Sequence, residues 1–413
     1  GANNKTVNLG NVGALTIRAT QAANGIYSSG TKDITLTINK ATLTATADNK
    51  PRSYGDANPA FTTSYSGFKN SETSAVLTTV PTGSSIATTT TNVGTVDINV
   101  AGGLDDNYAF SYVKGTLTIG KATLTTTADN KPRDYGDANP AFTISYSGFK
   151  NSETSSVLTT EPTGSSIATT TTNVGTVDID VAGGLDDNYD FLYVKGTLTI
   201  GKATLTVTAD NQTKTYGDAN PAFTISYSGF KNGDTSAVLT TEPTGSSIAT
   251  TTTNVGTVDI DVAGGLDDNY DFLYVKGTLT IGKATLTVTG DNQTKDYGDA
   301  NPAFTISYSG FKNSETSAVL TTEPTGSSIA SSTTNVGTME IDVAGGLDDN
   351  YDFSYVKGTL TIGKATLTVT ADNKSKSYGD ANPAFTISYS GFKNGDTSAG
   401  LTTEPTGSSI ATT

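Results

Sequence analysis

A period of 81 residues runs through this chain, and any fold it adopts must honour that period. The octapeptide Tyr-Gly-Asp-Ala-Asn-Pro-Ala-Phe stands unchanged at Tyr54–Phe61, Tyr135–Phe142, Tyr216–Phe223, Tyr297–Phe304 and Tyr378–Phe385. Lys40, Lys121, Lys202, Lys283 and Lys364 each open Lys-Ala-Thr-Leu-Thr at the same spacing. Residues 40–120, 121–201, 202–282 and 283–363 therefore read as four full repeats, and 364–413 as the front part of a further one. Residues 1–39 read as the rear half of a diverged repeat. Asn11–Ile17 aligns with Asn92–Ile98, Tyr27 with Tyr108, and Thr35–Ile38 with Thr116–Ile119. Solenoid rungs usually run to about 20–50 residues, so each of these longer units is expected to close a small core of its own.

The frame comes from side-chain alternation. Leu198 and Ile200 fall on one face of a strand at even positions; after Gly201–Lys202 the apolar slots are Ala203, Leu205 and Val207, at odd positions. A strand has a side-chain period of two, so this slip turns the apolar face over and marks a boundary between two cores. Within a unit the pattern is β. Residues 203–210, 223–230, 256–262 and 270–281 alternate apolar with polar residues and are rich in Val, Ile, Thr and Tyr. Turn-forming clusters at 210–221, 242–247 and 263–269 separate them. Asn232–Leu239 predicts one short helix, capped by Asn or Asp. Phe223, Tyr227, Phe230, Tyr270, Phe272 and Tyr274 are the expected large core members. The fold class is all-β, mainly antiparallel, with one short helix per unit, in a linear array of small domains that are β-grasp-like or Ig-like sandwiches.

Each letter of the octapeptide has a conformational task. Gly217 permits positive φ, and Asp218 accepts from backbone N–H groups just ahead of it. Asn220 is pushed toward extended geometry by Pro221, which lacks an N–H and suits a strand entry. Phe223 then starts a strand. A rigid turn anchored by Tyr216 and Phe223 explains the motif better than catalysis does.

The third repeat resembles the MBG domain of the YGX type. The resemblance is carried by Tyr216–Gly217, by Gly229–Asp234, by Asn254–Val258, by Asn269–Tyr270 and by the closing Leu279–Ile281. It covers residues 40–413, and 1–39 in outline. Such modules occur in tandem in large bacterial surface adhesins. The resemblance implies an extracellular location, at the cell surface or secreted, and a stalk beneath a separate binding tip.

Residue types narrow the chemistry. The chain has no Cys, no His, no Trp and one Met. Disulfides, thiolate metal sites and Ser–His or Cys–His nucleophiles are therefore excluded, and no catalytic, cofactor-binding or metal residues are assigned. A formal charge of −15 disfavours nucleic acid, which wants a Lys/Arg surplus. No run approaches the roughly 18 apolar residues of a membrane span. The start, residues 1–10, lacks the basic and apolar regions of a signal peptide and reads as a mature segment of something longer.

Several motifs compete with a plain structural reading. Asp186, Asn188 and Asp190 alternate, as oxygen ligands of calcium do. Phe191 and Thr197 stand where an EF-hand needs Gly and Glu, and Ala109 removes the third ligand in the first full repeat. A solvated turn is preferred, and weak Ca²⁺ binding is the one cofactor left open. Asp186 and Asp187 are adjacent on a strand, so they point to opposite faces and do not make a glycosidase pair. The Thr-rich strands reflect ordinary β-propensity rather than an ice-binding grid. An isopeptide would need Lys202 or Lys276 beside Asn254 or Asn269. Asn211–Thr213 and Asn292–Thr294 match the glycosylation sequon by pattern alone.

The function expected from sequence is a structural stalk whose partners are its own neighbouring repeats. Two-residue Gly–Lys junctions would leave little room to swivel. The alternative is a glycan- or mucin-binding module acting by avidity, with Tyr216 and Tyr270 as its first exposed aromatics.

Overall fold

A computed structural model describes residues 10–410; the reading of residues 1–9 as lacking a leader lies outside it. The chain falls into two compact units, Gly1–Ala203 and Thr204–Thr413. In the first unit, β1 (Gly13–Gln21) and β2 (Gly30–Ile38) pair as an antiparallel hairpin. The repeat at 40–120 follows with β3 (Ala41–Ala47), β4 (Lys50–Ser53), β5 (Thr63–Ser66), β6 (Thr82–Ser84), β7 (Gly94–Ala101), β8 (Tyr108–Val113) and β9 (Gly115–Gly120). These strands form a three-stranded sheet in the order β5-β3-β8 and a four-stranded sheet in the order β4-β9-β7-β6. The repeats at 121–201, 202–282 and 283–363 reproduce both sheets.

Alternation builds the core between the sheets. On β3, Leu43, Ala45 and Ala47 turn inward while the threonines between them face out. Ile98 and Val100 of β7 and Leu117 and Ile119 of β9 meet Ala45 and Ala47 from the other sheet. Each fully buried Leu or Ile is worth about 1.5–3 kcal/mol. The aromatic core expected from sequence needs correction. In the third repeat the fully enclosed large residues are mostly aliphatic, Leu205, Val207, Ile260, Leu279 and Ile281, with Tyr270 among them. Of the six expected aromatics only Tyr270 is fully buried; Phe223, Tyr227, Phe230 and Phe272 are half-buried, and Tyr274 lies exposed at the rim.

Strand pairing is mainly antiparallel, as expected, with two parallel pairs in the repeat at 40–120. β3/β5, β7/β9 and β6/β7 are antiparallel, but β3/β8 and β4/β9 are parallel. The cause is a shared corner. Strands β3 and β4 run on from the three-stranded sheet into the four-stranded one, and β8 and β9 make the same passage beside them. At the corner Asn49 Oδ1 accepts from Thr116 N at 2.7 Å. Gly115 presses against the carbonyl of Ala47, leaving no space for a Cβ. The expected helix contracts to one three-residue 3-10 turn, Ser236–Val238 in the third repeat, preceded by Thr235. Asn232, expected as its cap, instead adopts positive φ. Among the described residues no helix is long and apolar enough to cross a membrane.

Candidate functional site

The octapeptide lies where one repeat meets the next. In the first unit Tyr54 is 4% exposed, and its own turn fixes it: its N–H donates to Gly120 O at 2.8 Å, and Gly55 N–H donates to Thr89 O at 3.2 Å. Its ring stands edge-on to Tyr189 of the following repeat, centroids 5.6 Å apart. Its hydroxyl donates to Glu153 Oε1 at 2.6 Å, and the Tyr189 hydroxyl donates to Glu153 Oε2 at 2.6 Å. One carboxylate thus joins a tyrosine of its own repeat to a tyrosine of the repeat before it. Ala122, Leu124 and Tyr189 join the same apolar cluster as Ile98 and Leu117, so the core passes through the joint without a break.

A turn presents the carboxylate. Asn151 and Ser152 both have positive φ, 51° and 62°, and Glu153 N–H donates back to Lys150 O at 2.9 Å, the arrangement of a type I′ turn. The Lys150 N–H donates to the Tyr189 hydroxyl at 2.7 Å. Lys150 Nζ reaches Asp56 Oδ1 at 2.9 Å. Gly55 lies so close to the Lys150 side chain that any Cβ there would collide with it.

The Asp-Asp-Asn-Tyr segment serves the same joint. Asp186 is buried, and its Oδ1 accepts from Asn188 N at 2.7 Å and Tyr189 N at 3.1 Å. The turn so fixed aims Asn188 at the preceding repeat, where its Oδ1 accepts from Val93 N at 3.0 Å. Asp190 is exposed, and Lys121 Nζ stands 3.7 Å from it. The three residues read as alternating ligands therefore do not converge on one point. Asp186 is buried and Asp187 exposed. Among the described residues no group of three or more acidic side chains could hold a metal.

The second unit repeats the geometry. Tyr216 and Tyr351 donate to the two oxygens of Glu315, each at 2.6 Å, with ring centroids 5.7 Å apart. Lys312 Nζ lies 2.9 Å from Asp218 Oδ1, and Asn350 Oδ1 accepts from Val255 N at 3.0 Å. Tyr378, with no such partner beside it, is fully exposed.

The tyrosine environment follows from this geometry. Burial first, then the bond to Glu153, pushes the Tyr189 hydroxyl well above its ordinary range. For Tyr54 the bond to Glu153 is the larger cause and burial the second. Tyr351 and Tyr216 are raised likewise beside Glu315, led by burial in Tyr351 and by the hydrogen bond in Tyr216.

Other residues singled out from sequence have different surroundings. Tyr216 and Tyr270 are 3% and 1% exposed, so neither offers a ring face to a glycan. Lys276 Nζ sits on the surface between Asp259 and Asp261, at 2.9 and 3.0 Å. Asn254 Oδ1 accepts from Asn350 Nδ2 at 3.2 Å, across the joint. The sequon residues Asn211 and Asn292 accept from Thr278 N and Thr359 N, both at 2.8 Å, as corner pins. Glu153 and Glu315 are the functional residues that sequence reading missed. Their one signal was the recurrence of an acid, at 72, 153, 234, 315 and 396, after each Lys-Asn-Ser or Lys-Asn-Gly.

The family model described as MBG domain (YGX type) matches residues 43–118, 124–199, 205–280, 286–361 and 367–413. No curated protein matches the chain.

Proposed function

We infer the role of this chain from two premises: it belongs to the MBG domain (YGX type) family, and neighbouring repeats within each unit are fastened side chain to side chain. The role is that of a non-catalytic spacer in a bacterial surface or secreted adhesin, in which successive repeats form a semi-rigid extended rod that carries a binding tip away from its anchor. The observation that carries this reading is the carboxylate bridge, Glu153 between Tyr54 and Tyr189 and Glu315 between Tyr216 and Tyr351. A flexible linker would leave neighbours free to turn. A half-buried, charge-assisted hydrogen-bond pair flanked by an edge-on ring contact opposes that rotation. Net negative charge on the chain adds a weaker preference for extension that physiological salt screens over about 8 Å. Small-angle scattering of the full chain tests the reading. The wild type should give one extended distance distribution, and Tyr54→Ala with Tyr216→Ala should shorten and broaden it. A compact wild type, or no change in the double variant, rejects the spacer role.

A further inference from the structure

The first and last strands of a repeat lie side by side and run the same way. Residues 41–46 of β3 pair in parallel with 108–113 of β8, and 50–53 of β4 with 117–120 of β9. The corner between them keeps the register: Asn49 Oδ1 accepts from Thr116 N at 2.7 Å, across the same separation of 67 residues as Ala41–Tyr108 and Lys50–Leu117. The ladder is closed at both ends. Ala41 N–H donates to Asn107 O at 2.9 Å, and Tyr54 N–H donates to Gly120 O at 2.8 Å. One parallel ladder of constant offset thus runs through both sheets. It recurs where 122–127 pairs with 189–194 and 131–134 with 198–201, pinned by Asn130 on Thr197 N at 2.7 Å. It recurs again where 284–289 pairs with 351–356 and 293–296 with 360–363, pinned by Asn292 on Thr359 N at 2.8 Å.

Direction decides how such a ladder meets a pull on the chain. The chain enters the repeat at the start of β3 and leaves it at the end of β9. Because the two stretches are parallel, tension along the chain draws them past one another along their own length, and every rung is loaded at once. Antiparallel terminal strands would put both attachments at one end, and the rungs would open one after another. A single rung is worth only about 0.5–1.5 kcal/mol net, so sharing the load is what gives strength, and the even spacing of parallel bonds spreads it evenly. No slack separates successive ladders. Gly120 O closes one, and Ala122 N–H opens the next by donating to Asn188 O at 2.9 Å. Lys121 alone stands between them, and its Nζ is itself tied to Asp186 O at 2.7 Å.

We propose that each full repeat is a shear clamp, a load-bearing element whose terminal parallel ladder resists unfolding when the chain is pulled along its length. The corner asparagine acts within the clamp: it carries the ladder across the bend, where the backbone pairing of β3 has ended and that of β4 has not begun. Shape at rest and strength under load are separate properties, so a chain that proved compact in scattering would still be held by this ladder. Rupture under load reads the unfolding barrier rather than the equilibrium stability, so the clamp is tested by force and not by denaturant.

The chain has no cysteine, so paired thiol handles can be placed on the full chain at chosen points. Asn39→Cys with Gly120→Cys loads the ladder along its length; Thr42→Cys with Asp106→Cys pulls the starts of β3 and β8 apart sideways. All four positions are exposed, and Gly120 has room for a Cβ. In single-molecule force spectroscopy the first pair should need several-fold more force than the second to rupture the repeat. Each rupture is identified by the length of chain it frees, about 3.6 Å per residue. Asn49→Ala should lower the force for the first pair and leave that for the second, whose opening rungs lie before the corner. The same force for both pairs would overturn the proposal, as would an Asn49→Ala variant that leaves the first pair's force unchanged.

Discussion

Glu153 shows how much a single residue decides. Its two oxygens are each committed to a tyrosine hydroxyl, one from either side of the joint. Tyr54→Phe should lower the stability of the coupled pair by about 1–2 kcal/mol, since a charged acceptor loses a donor in a half-buried place. Tyr54→Ala also removes the ring and should cost about 3–5 kcal/mol. Denaturant midpoints at constant m would separate the two effects. Ser152 has φ 62°, a region that suits glycine, and the third repeat already places Gly233 there with φ 80°. Ser152→Gly should therefore stabilise by roughly 0.4–1 kcal/mol. Thr126 is wholly enclosed with an unpartnered hydroxyl, where the next repeats have Val207 and Val288. Thr126→Val should raise the melting temperature, and a fall would show that the hydroxyl has a partner after all.

At the scale of elements, three loops from distant parts of the sequence make one device: the octapeptide turn, the Lys-Asn-Ser-Glu turn and the Asp-Asp-Asn-Tyr turn. The octapeptide could be read in advance as a bend, since its glycine, asparagine and proline are conformational choices. That its tyrosine anchors into the next repeat could not be read, because nothing local distinguishes a ring that packs on its own strand from one that packs on a neighbour. The Gly-Gly pair was likewise legible as a turn, but not for its reason. A Cβ on Gly184 would stand 2.7 Å from the ring of Phe191, so Gly184→Ala should destabilise the repeat by about 1–3 kcal/mol through overpacking. The joint also has a pH dependence. Tyr54, Tyr189, Tyr216 and Tyr351 are all raised above the ordinary value of 10.0 in the folded state. Their contribution is fully present below that value and is lost as pH rises beyond it, because the unfolded chain releases those protons first. Unfolding midpoints should fall steeply above pH 10, with the tyrosinate absorbance of these rings appearing only as the fold is lost.

For the molecule as a whole, the prediction concerns cooperativity. Repeats coupled through a shared core and a shared carboxylate should unfold with their neighbours, as nearest-neighbour arrays do. Glu153→Gln together with Glu315→Gln should split or broaden the calorimetric transition, and a single unchanged peak would mean that the bridges do not couple the repeats. What the sequence by itself determined was the period and the β character, because identical letters at fixed spacing and alternation of side chains are properties of the string. The two parallel strand pairs, the largely aliphatic centre of the core and the identity of the joint were decided only in three dimensions. A period of two says which face a side chain takes but not which strand lies beside it. Likewise, a carboxylate that joins Tyr54 to Tyr189 acquires its meaning only once residues about a hundred positions apart in the chain are brought within hydrogen-bond reach.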